Sequence, residues 1–508
     1  MNNNLVIVSN RLPISVKKTD SGLEFFPSIG GLATGLAGFT DNKDNLWIGW
    51  PGISLDVLTP NEITEITKHL SSHNCYPVFL TQKQIDYYYS GYSNRILWPL
   101  FHNISISPDA IKGQNNFWKS YQKVNTIFAK AILDISTPGS NIWIHDYHLL
   151  LLPDLIRKQR PNDKIGFFQH IPFADAENFL KLAQSKSLLK GILGANIIGF
   201  HTKGYADNFV ENCVNHNLGL INKNEISING RKSLISNFPM GIDYNKFKDG
   251  TQLSKTKIEL KSLQNKYKNL KVILNVDRLD PSKGLVERVK AYRDFLRNNK
   301  PFLKKVTMIM LTMPSRTKIE EYIKLHSELE KLIKDVNAEF RTDTWEPIEY
   351  MYTCLTFEKL LALYQRADIA FVAPLCDGMN LVAKEYLACK TNNDGILILS
   401  NTAGAAEELE DALIVDPADR STLVKALEQA ISMSKDEMQQ RIKNLQKQIS
   451  TFTIQTWCDN FVNALAKPSD LFTKNIEPTF NGNTLSTLNT TDSLIINIES
   501  SCPTGKKN

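Results

Sequence analysis

A run of β-branched and aromatic residues, Ile369-Ala370-Phe371-Val372, breaks at Ala373-Pro374-Leu375-Cys376-Asp377-Gly378-Met379-Asn380. Apolar residues at helical spacing follow: Leu381, Val382, Ala383, Tyr386, Leu387 and Ala388. A strand this uniformly apolar is covered on both faces, as in parallel sheets. The segment therefore reads as strand, tight Gly turn and helix, which ties the chain to an α/β architecture. In open α/β sheets ligands bind beyond the carboxyl ends of the strands. The N–H groups of Gly378, Met379, Asn380, Leu381 and Val382 then lie around a helix N-terminus, an anion site. Glu385, about one turn further in, offers its oxygens to a vicinal diol such as a ribose. A phosphate cradle beside a diol acceptor suits a nucleotide sugar. An ordinary αβ-unit with a solvated Glu fits the same pattern.

The strand-then-helix rhythm recurs along the whole chain. Leu5-Val6-Ile7-Val8, Leu46-Trp47-Ile48, Ile142-Trp143-Ile144, Ile165-Gly166-Phe167-Phe168 and Asn196-Ile197-Ile198 read as strands. So do Leu270 to Val276, Lys305 to Leu311 and Gly395 to Ser400. This predicts α/β doubly wound parallel sheets facing each other across a cleft. Pro13 stops the first strand, and a loop is expected from there to the Gly-rich Gly30-Gly31-Leu32-Ala33-Thr34-Gly35. The spacing of these glycines is not that of a dinucleotide fingerprint, so tight packing alone also explains them. The turn-rich Phe238-Pro239-Met240-Gly241-Ile242-Asp243 marks a hinge. The expected domains are residues 1–240, residues 241–450, a helix at 451–467 packing back on the first domain, and a disordered Ser/Thr/Asn-rich tail at 468–508.

Strand ends carry the polar residues. Arg278 and Lys283 stand five apart on a strand-to-helix loop. A planar guanidinium and a compact ammonium suit a diphosphate leaving group and the charge it develops. His145-Asp146-Tyr147-His148 ends another strand; its imidazoles and carboxylate raise metal binding, but no second ligand cluster accompanies them. His170, beside apolar residues, reads as structural or as a site residue. The clustered Tyr87-Tyr88-Tyr89, Tyr92 and Trp98 read as core, or as hydroxyl and indole donors for a phosphate.

The ten residues Asp377 to Tyr386 resemble the signature of the trehalose-6-phosphate synthases, retaining glycosyltransferases with two Rossmann-like domains (the glycosyltransferase B fold). Ser9-Asn10-Arg11-Leu12-Pro13, Tyr88-Tyr89 with Ser93-Asn94 and Leu97-Trp98-Pro99, His170-Ile171-Pro172-Phe173 and Arg278 to Leu285 extend the resemblance over roughly residues 5–465. The resemblance implies glucose transfer from UDP-glucose to glucose 6-phosphate, giving α,α-trehalose 6-phosphate and UDP, in trehalose biosynthesis and stress protection. No cofactor or metal is implied. Arg278, Lys283, Asp377, His170 and Asp146 would form the catalytic set, with Asp146 and His170 contacting sugar. Gly31, Gly378 to Val382 and Glu385 would complete the donor site. Arg11, Tyr89, Trp98, Asp146 and Arg316 would hold the acceptor.

Departures from the family pattern are Cys376 for Arg, Pro281 for Tyr, the lack of an Arg near Thr353, and Leu182-Ala183-Gln184-Ser185-Lys186 where Leu-Pro-Trp-Arg is usual. They keep open a sister transferase with another acceptor, such as glycerol 3-phosphate or a pseudo-sugar phosphate. An inactive regulatory subunit of a trehalose complex and a nucleotide-sugar epimerase are the other competitors. The retained acceptor-phosphate residues speak against the epimerase.

The bulk numbers agree with this class. A chain of 508 residues is too long for one core. A formal net charge of +6 over that length is no nucleic-acid footprint. Seven scattered Cys without a Cys-x-x-Cys pair indicate a reducing compartment rather than a disulfide framework. Without a signal-peptide pattern or a membrane-length apolar run, a cytoplasmic protein is expected. The absence of Asp-x-Asp in the tail predicts that a separate phosphatase acts on the product. Homo-oligomerisation is left open.

Overall fold

The computed structural model describes residues 5–28, 45–317 and 319–467. In chain order the strands are β1 (Leu5–Arg11), β2 (Ile14–Thr19), β3 (Gly22–Pro27), β4 (Leu46–Trp50), β5 (Cys75–Pro77), β6 (Asn141–His145), β7 (Lys164–Phe168), β8 (Ile197–Phe200), β9 (Leu220–Asn222), β10 (Glu225–Ile228) and β11 (Arg231–Asn237). A second group follows: β12 (Lys271–Arg278), β13 (Val306–Met313), β14 (Ile348–Tyr352), β15 (Ile369–Val372), β16 (Ile396–Ser400) and β17 (Leu413–Val415).

Among the described residues the first group forms a nine-stranded sheet of order β5-β4-β1-β6-β7-β8-β11-β10-β9, and the second a six-stranded sheet of order β14-β13-β12-β15-β16-β17. The second sheet is parallel throughout. Its central strands are buried because helices cover both faces: β15 is at most 3% exposed along its length. In both sheets the order reverses beside the first strand, between β1 and β6 and between β12 and β15. These are the switch points at which a doubly wound sheet opens a crevice at its carboxyl edge. Arg11 and Asp146 leave the first; Arg278 and Ala373 to Asp377 leave the second. The architecture is the expected pair of doubly wound α/β sheets.

Three local features differ from expectation. The segment after Pro13 is a hairpin, β2 against β3, with Thr19 opposite Gly22 across the two-residue loop Asp20-Ser21. Its short strands and paired Lys17 and Lys18 mimic loop composition. The first sheet also gains an antiparallel edge, β10 and β9. Here Ile228 pairs with Arg231 across Asn229-Gly230, both at positive φ (50° and 75°). Asn-Gly between apolar runs is a strong hairpin signal that the α/β rhythm overshadowed. Finally, Ile85–Leu97 is a π-helix, a form rare at this length and frequent at functional sites. It points Tyr88 inward, where its hydroxyl donates to Asn10 Oδ1 at 2.9 Å, and leaves Tyr89 half-buried.

The chain crosses from the first sheet to the second through residues 238–243 and returns before the helix Ile454–Ala466, which lies on β7 and β8. Phe461 of that helix fills the space above Gly166 and Gly199, where an added Cβ would come within 2.6 and 2.8 Å of its ring. The ring also stacks on Trp143 at 4.6 Å. No helix among the described residues is long and apolar enough to cross a membrane.

Candidate active site

The second sheet supplies two loops that pack on each other. After β12 the chain runs Arg278-Leu279-Asp280-Pro281-Ser282-Lys283-Gly284. Gly284 sits at φ 63°, and a Cβ there would lie 2.6 Å from the carbonyl of Ala373. Only glycine allows this turn to lie against the exit of β15. The wholly buried Arg288 ties the two together. It pairs with Asp277 at 2.5 Å and donates to the carbonyls of Phe371 and Lys283, each at 2.8 Å. Lys283 in turn pairs with Asp377, whose carboxylate also accepts from Asn380 Nδ2 at 2.9 Å. Burial alone would raise the Asp377 pKa; Lys283 outweighs it and holds the carboxyl below its ordinary value. Arg278 is different: it is exposed and makes no hydrogen bond or ion pair among the described residues.

The turn after β15 is tighter still. Asn380 stands at φ 72° and caps the helix Leu381–Cys389 by accepting from the Ala383 N–H at 3.2 Å. Among the described residues the N–H groups of Leu381 and Val382 have no acceptor. Met379 is buried at 3% exposure. A Cβ on Gly378 would lie 2.2 Å from the carbonyl oxygen of His170, so this turn touches the first sheet's loops backbone to backbone. Glu385 accepts from the Tyr364 hydroxyl at 2.9 Å through one oxygen, and burial raises its pKa.

The first sheet faces these loops with its own strand ends. The Arg11 guanidinium lies 4.7 Å from the Trp50 ring and donates to Ser15 at 2.8 Å. Gly52, at φ 90°, leaves the room it needs. Tyr89 stacks on His148, ring centroids 5.8 Å apart. Asp146 adopts φ 75°, a strained setting for a non-glycine residue. The strain turns its carboxylate onto the His170 N–H at 3.2 Å. Burial raises the Asp146 pKa to about 6, against the pull of backbone N–H groups, Arg278 and Arg316. The His170 Nε2 is 3.0 Å from Nδ1 of the fully buried His145. Burial pushes both imidazoles well below their ordinary pKa, so both are neutral and one N–H is shared.

The two sets meet at Trp98. Arg316, after β13, lays its guanidinium 3.9 Å from that ring and Arg278 lies 5.4 Å from it. The indole N–H donates across the cleft to Asp280 at 3.3 Å. Arg316 sits at φ 45°, pairs with Asp280 at 2.8 Å, and donates to the hydroxyls of Tyr322 and, at 3.3 Å, Tyr147. Burial would raise the Asp280 pKa; Arg316 and Arg278 outweigh it and hold the carboxyl well below the usual range.

Of the residues singled out from sequence, Arg11, Tyr89, Trp98, Asp146, His170, Arg278, Lys283, Arg316, Asp377, Gly378 to Val382 and Glu385 therefore gather around one cleft. Gly31 lies outside the described residues. The His145-Asp146-His148 trio does not converge: His145 turns to His170, and His148 stacks on Tyr89 and lies tilted against Tyr147. Among the described residues no three His, Cys, Asp or Glu are grouped to hold a metal. Cys376 is half-buried, and burial pushes its thiol up to about 12. Its N–H donates to the Ser282 carbonyl at 3.2 Å. Sequence reasoning gave no role to Asp280, Tyr322, Tyr147 or Arg288 and weighed His145 only as a metal ligand; of the four, Asp280 had a signal, its place between two basic residues of one loop.

Residues 3–467 match the model of glycosyltransferase family 20. The chain is 38% identical over 473 residues to the Aspergillus fumigatus protein named alpha,alpha-trehalose-phosphate synthase [UDP-forming] 2, covering 92% of this chain and 97% of the relative. Its fold is similar to the Candida albicans trehalose-6-phosphate phosphatase N-terminal domain (TM-score 0.84, 28% identity, 92% and 97% of the two chains). It is also similar to a UDP-forming alpha,alpha-trehalose-phosphate synthase from Burkholderia xenovorans in complex with glucose-6-phosphate (TM-score 0.80, 29% identity, 91% and 100%). A match spanning both sheets and every loop described above makes this chain a member of glycosyltransferase family 20.

Proposed function

We propose that this protein transfers glucose from UDP-glucose to the anomeric hydroxyl of glucose 6-phosphate with retention, giving α,α-trehalose 6-phosphate and UDP. The donor follows from atom balance. An enzyme that forms UDP and a trehalose phosphate, and whose relative binds glucose 6-phosphate, must bring the second glucose on UDP. The observation that carries the reading is the convergence on Trp98 of Arg278 and Arg316. It sets an unpaired cation for the donor beside a cation suited to the acceptor.

In this reading the diphosphate lies along the open N–H groups of Leu381 and Val382, with Arg278 and Lys283 stabilising the charge it gains. Gly378 and Met379 shape the turn, Asn380 and Asp377 brace it, and Glu385 takes the ribose hydroxyls. Gly31 would close the donor site. Arg11, Tyr89, Trp98 and Arg316 hold the acceptor phosphate, and that binding energy places the attacking oxygen. Asp146 and His170 bind sugar hydroxyls. The bond from the anomeric carbon to the diphosphate breaks as the bond to the acceptor oxygen forms on the same face. The acceptor proton goes to the departing phosphate oxygen. In this reading Asp377 is no covalent nucleophile; Lys283 and Asn380 hold its Oδ2 and brace the turn.

The test is product analysis by NMR with UDP-glucose, glucose 6-phosphate and a chelator. An α,α-1,1-linked disaccharide phosphate supports the reading, and its persistence with chelator supports metal independence. UDP-glucose bound with no disaccharide formed refutes the acceptor. The likeness to the Candida albicans phosphatase domain favours a second reading, a non-catalytic subunit of a trehalose-synthesis complex. That reading predicts no turnover with any nucleotide-glucose donor. A cytoplasmic site of action, a separate phosphatase for the product and the state of oligomerisation belong to the same proposal.

A further inference from the structure

Asp280 is fully buried, yet it lies between the two cationic groups of the cleft. Its oxygens are saturated. Oδ1 accepts from Trp98 Nε1 at 3.3 Å and from the Ser282 N–H at 3.0 Å. Oδ2 accepts from Arg316 Nη1 at 2.8 Å and from the Tyr322 hydroxyl at 3.1 Å. A carboxylate has about four lone-pair sites, and here all four are taken. No capacity remains for a substrate hydroxyl. The Asp280 carbonyl also accepts the Lys283 N–H at 3.0 Å, so the same residue anchors the turn that carries the donor cations.

We propose that Asp280 is the positioning residue that holds Trp98 and Arg316 in the geometry that selects a phosphorylated acceptor. The inference rests on the proposed reaction. Arg316 occupies a positive-φ backbone that an arginine does not favour. Its carbonyl accepts from the Ile319 N–H at 2.9 Å, and its head group is held by a charge-assisted pair with Asp280. Trp98 belongs to the other half of the cleft, so its bond to Asp280 also fixes the register between the acceptor side and the Arg278–Lys283 loop.

An opposing effect runs the other way. Asp280 neutralises part of the positive charge at Arg316, and its removal would attract anions more strongly. Asparagine separates the two effects. With Oδ1 kept toward Trp98 and Ser282, the amide of D280N presents N–H groups to the Arg316 N–H groups, so the pair is lost while the volume is kept.

The experiment compares the full-length wild type, D280N and Tyr322→Phe with UDP-glucose and either glucose 6-phosphate or glucose as acceptor. Calorimetric binding of UDP is the check on folding. For D280N, KM for glucose 6-phosphate is expected to rise about tenfold or more. The preference for glucose 6-phosphate over glucose should fall by a similar factor, with UDP affinity within about twofold of wild type. An unchanged KM overturns the proposal. A lowered KM also overturns it, because Asp280 would then be competing with the phosphate. If D280N fails to bind UDP, Y322F decides: it removes one donor to Asp280, so KM should rise about threefold, and no rise overturns the proposal. A wild type that forms no product with glucose 6-phosphate instead removes the underlying reaction.

Discussion

At the residue scale the cleft divides its cations by what already holds them. Lys283 is paired with Asp377 and Arg316 with Asp280, whereas Arg278 makes no hydrogen bond or ion pair among the described residues. The free cation is the one that can respond to charge developing on a leaving group. Arg278→Ala should therefore lower kcat by about 10²–10³-fold and leave KM for glucose 6-phosphate within about threefold. Steady-state kinetics check this, and the reverse pattern would assign Arg278 to the acceptor. Asp146 makes a different prediction. Its folded pKa, about 6, lies above the ordinary carboxyl value. Its contribution to stability is thus present below about pH 4 and lost as pH rises through 6. Asn does not titrate and tolerates the positive φ of this position as well as Asp does. Asp146→Asn should raise the ligand-free melting temperature by a few degrees at pH 8, a gain that shrinks toward pH 5, while activity is lost. Melting curves across pH test it; a gain independent of pH would sever the link to titration. The residues that gather in the cleft stood out in the sequence because they sit in local motifs, Arg11, Asp146, Arg278 and Asp377 at or after strand ends and Tyr89 and Trp98 in an aromatic cluster. Asp280, Arg288 and the pairing of His145 with His170 were not, since their meaning lies in partners 11 to 182 positions away.

At the element scale the apolar central strands were readable, whereas β5, β11, β14, β17 and the local ornaments were not. The apolar run Ile369–Val372 could only be a buried strand, and it is β15. The β2–β3 hairpin, the β9–β10 edge and the π-helix Ile85–Leu97 escaped for two reasons. Short polar strands imitate loops. Over 13 residues the wider period of a π-helix is not separable in sequence from that of an α-helix. That π-helix nonetheless sets Tyr89 against His148 and leads into Trp98. The turn after β15 was read correctly as a Gly turn, but the reason for its glycine is tertiary. Gly378 must approach the His170 carbonyl. In Gly378→Ala the clash at 2.2 Å is with backbone, which no rotamer change relieves. The turn has to recede, and a displacement of about an ångström at a reacting centre costs about 10²-fold in rate. We expect G378A to fold, bind UDP and lose about 10²-fold in kcat/KM. Activity within twofold of wild type would mean that the contact does not position the donor.

At the scale of the whole molecule two sheets with separate cores must present their carboxyl edges to each other, and the chain passes between them twice. The two passages run side by side. The Ile454 N–H donates to the Ile242 carbonyl at 3.1 Å, and a Cβ on Gly241 would lie 2.1 Å from the Phe452 carbonyl oxygen. Lys384 adds a third tie from the donor side, pairing with Glu408 and donating to the Met240 carbonyl at 2.8 Å. The halves are thus tied at this packed crossing as well as by contacts that span the cleft, such as Trp98 to Asp280, on which the proposed chemistry depends. Gly241→Ala puts a methyl group between the two passages. Neither passage can yield without moving the sheet it leads to, so the change acts on the relative placement of the halves rather than on either core. The prediction is a separation of two measurements. UDP affinity, which the proposed reading assigns to the second sheet's loops, stays within about threefold of wild type, whereas kcat/KM for glucose 6-phosphate falls about tenfold or more because donor and acceptor no longer meet in register. Calorimetry and kinetics on one preparation decide it. Equal losses in both would mean that the crossing supports the second sheet itself; no loss in either would mean that the halves find their register through the cleft contacts alone.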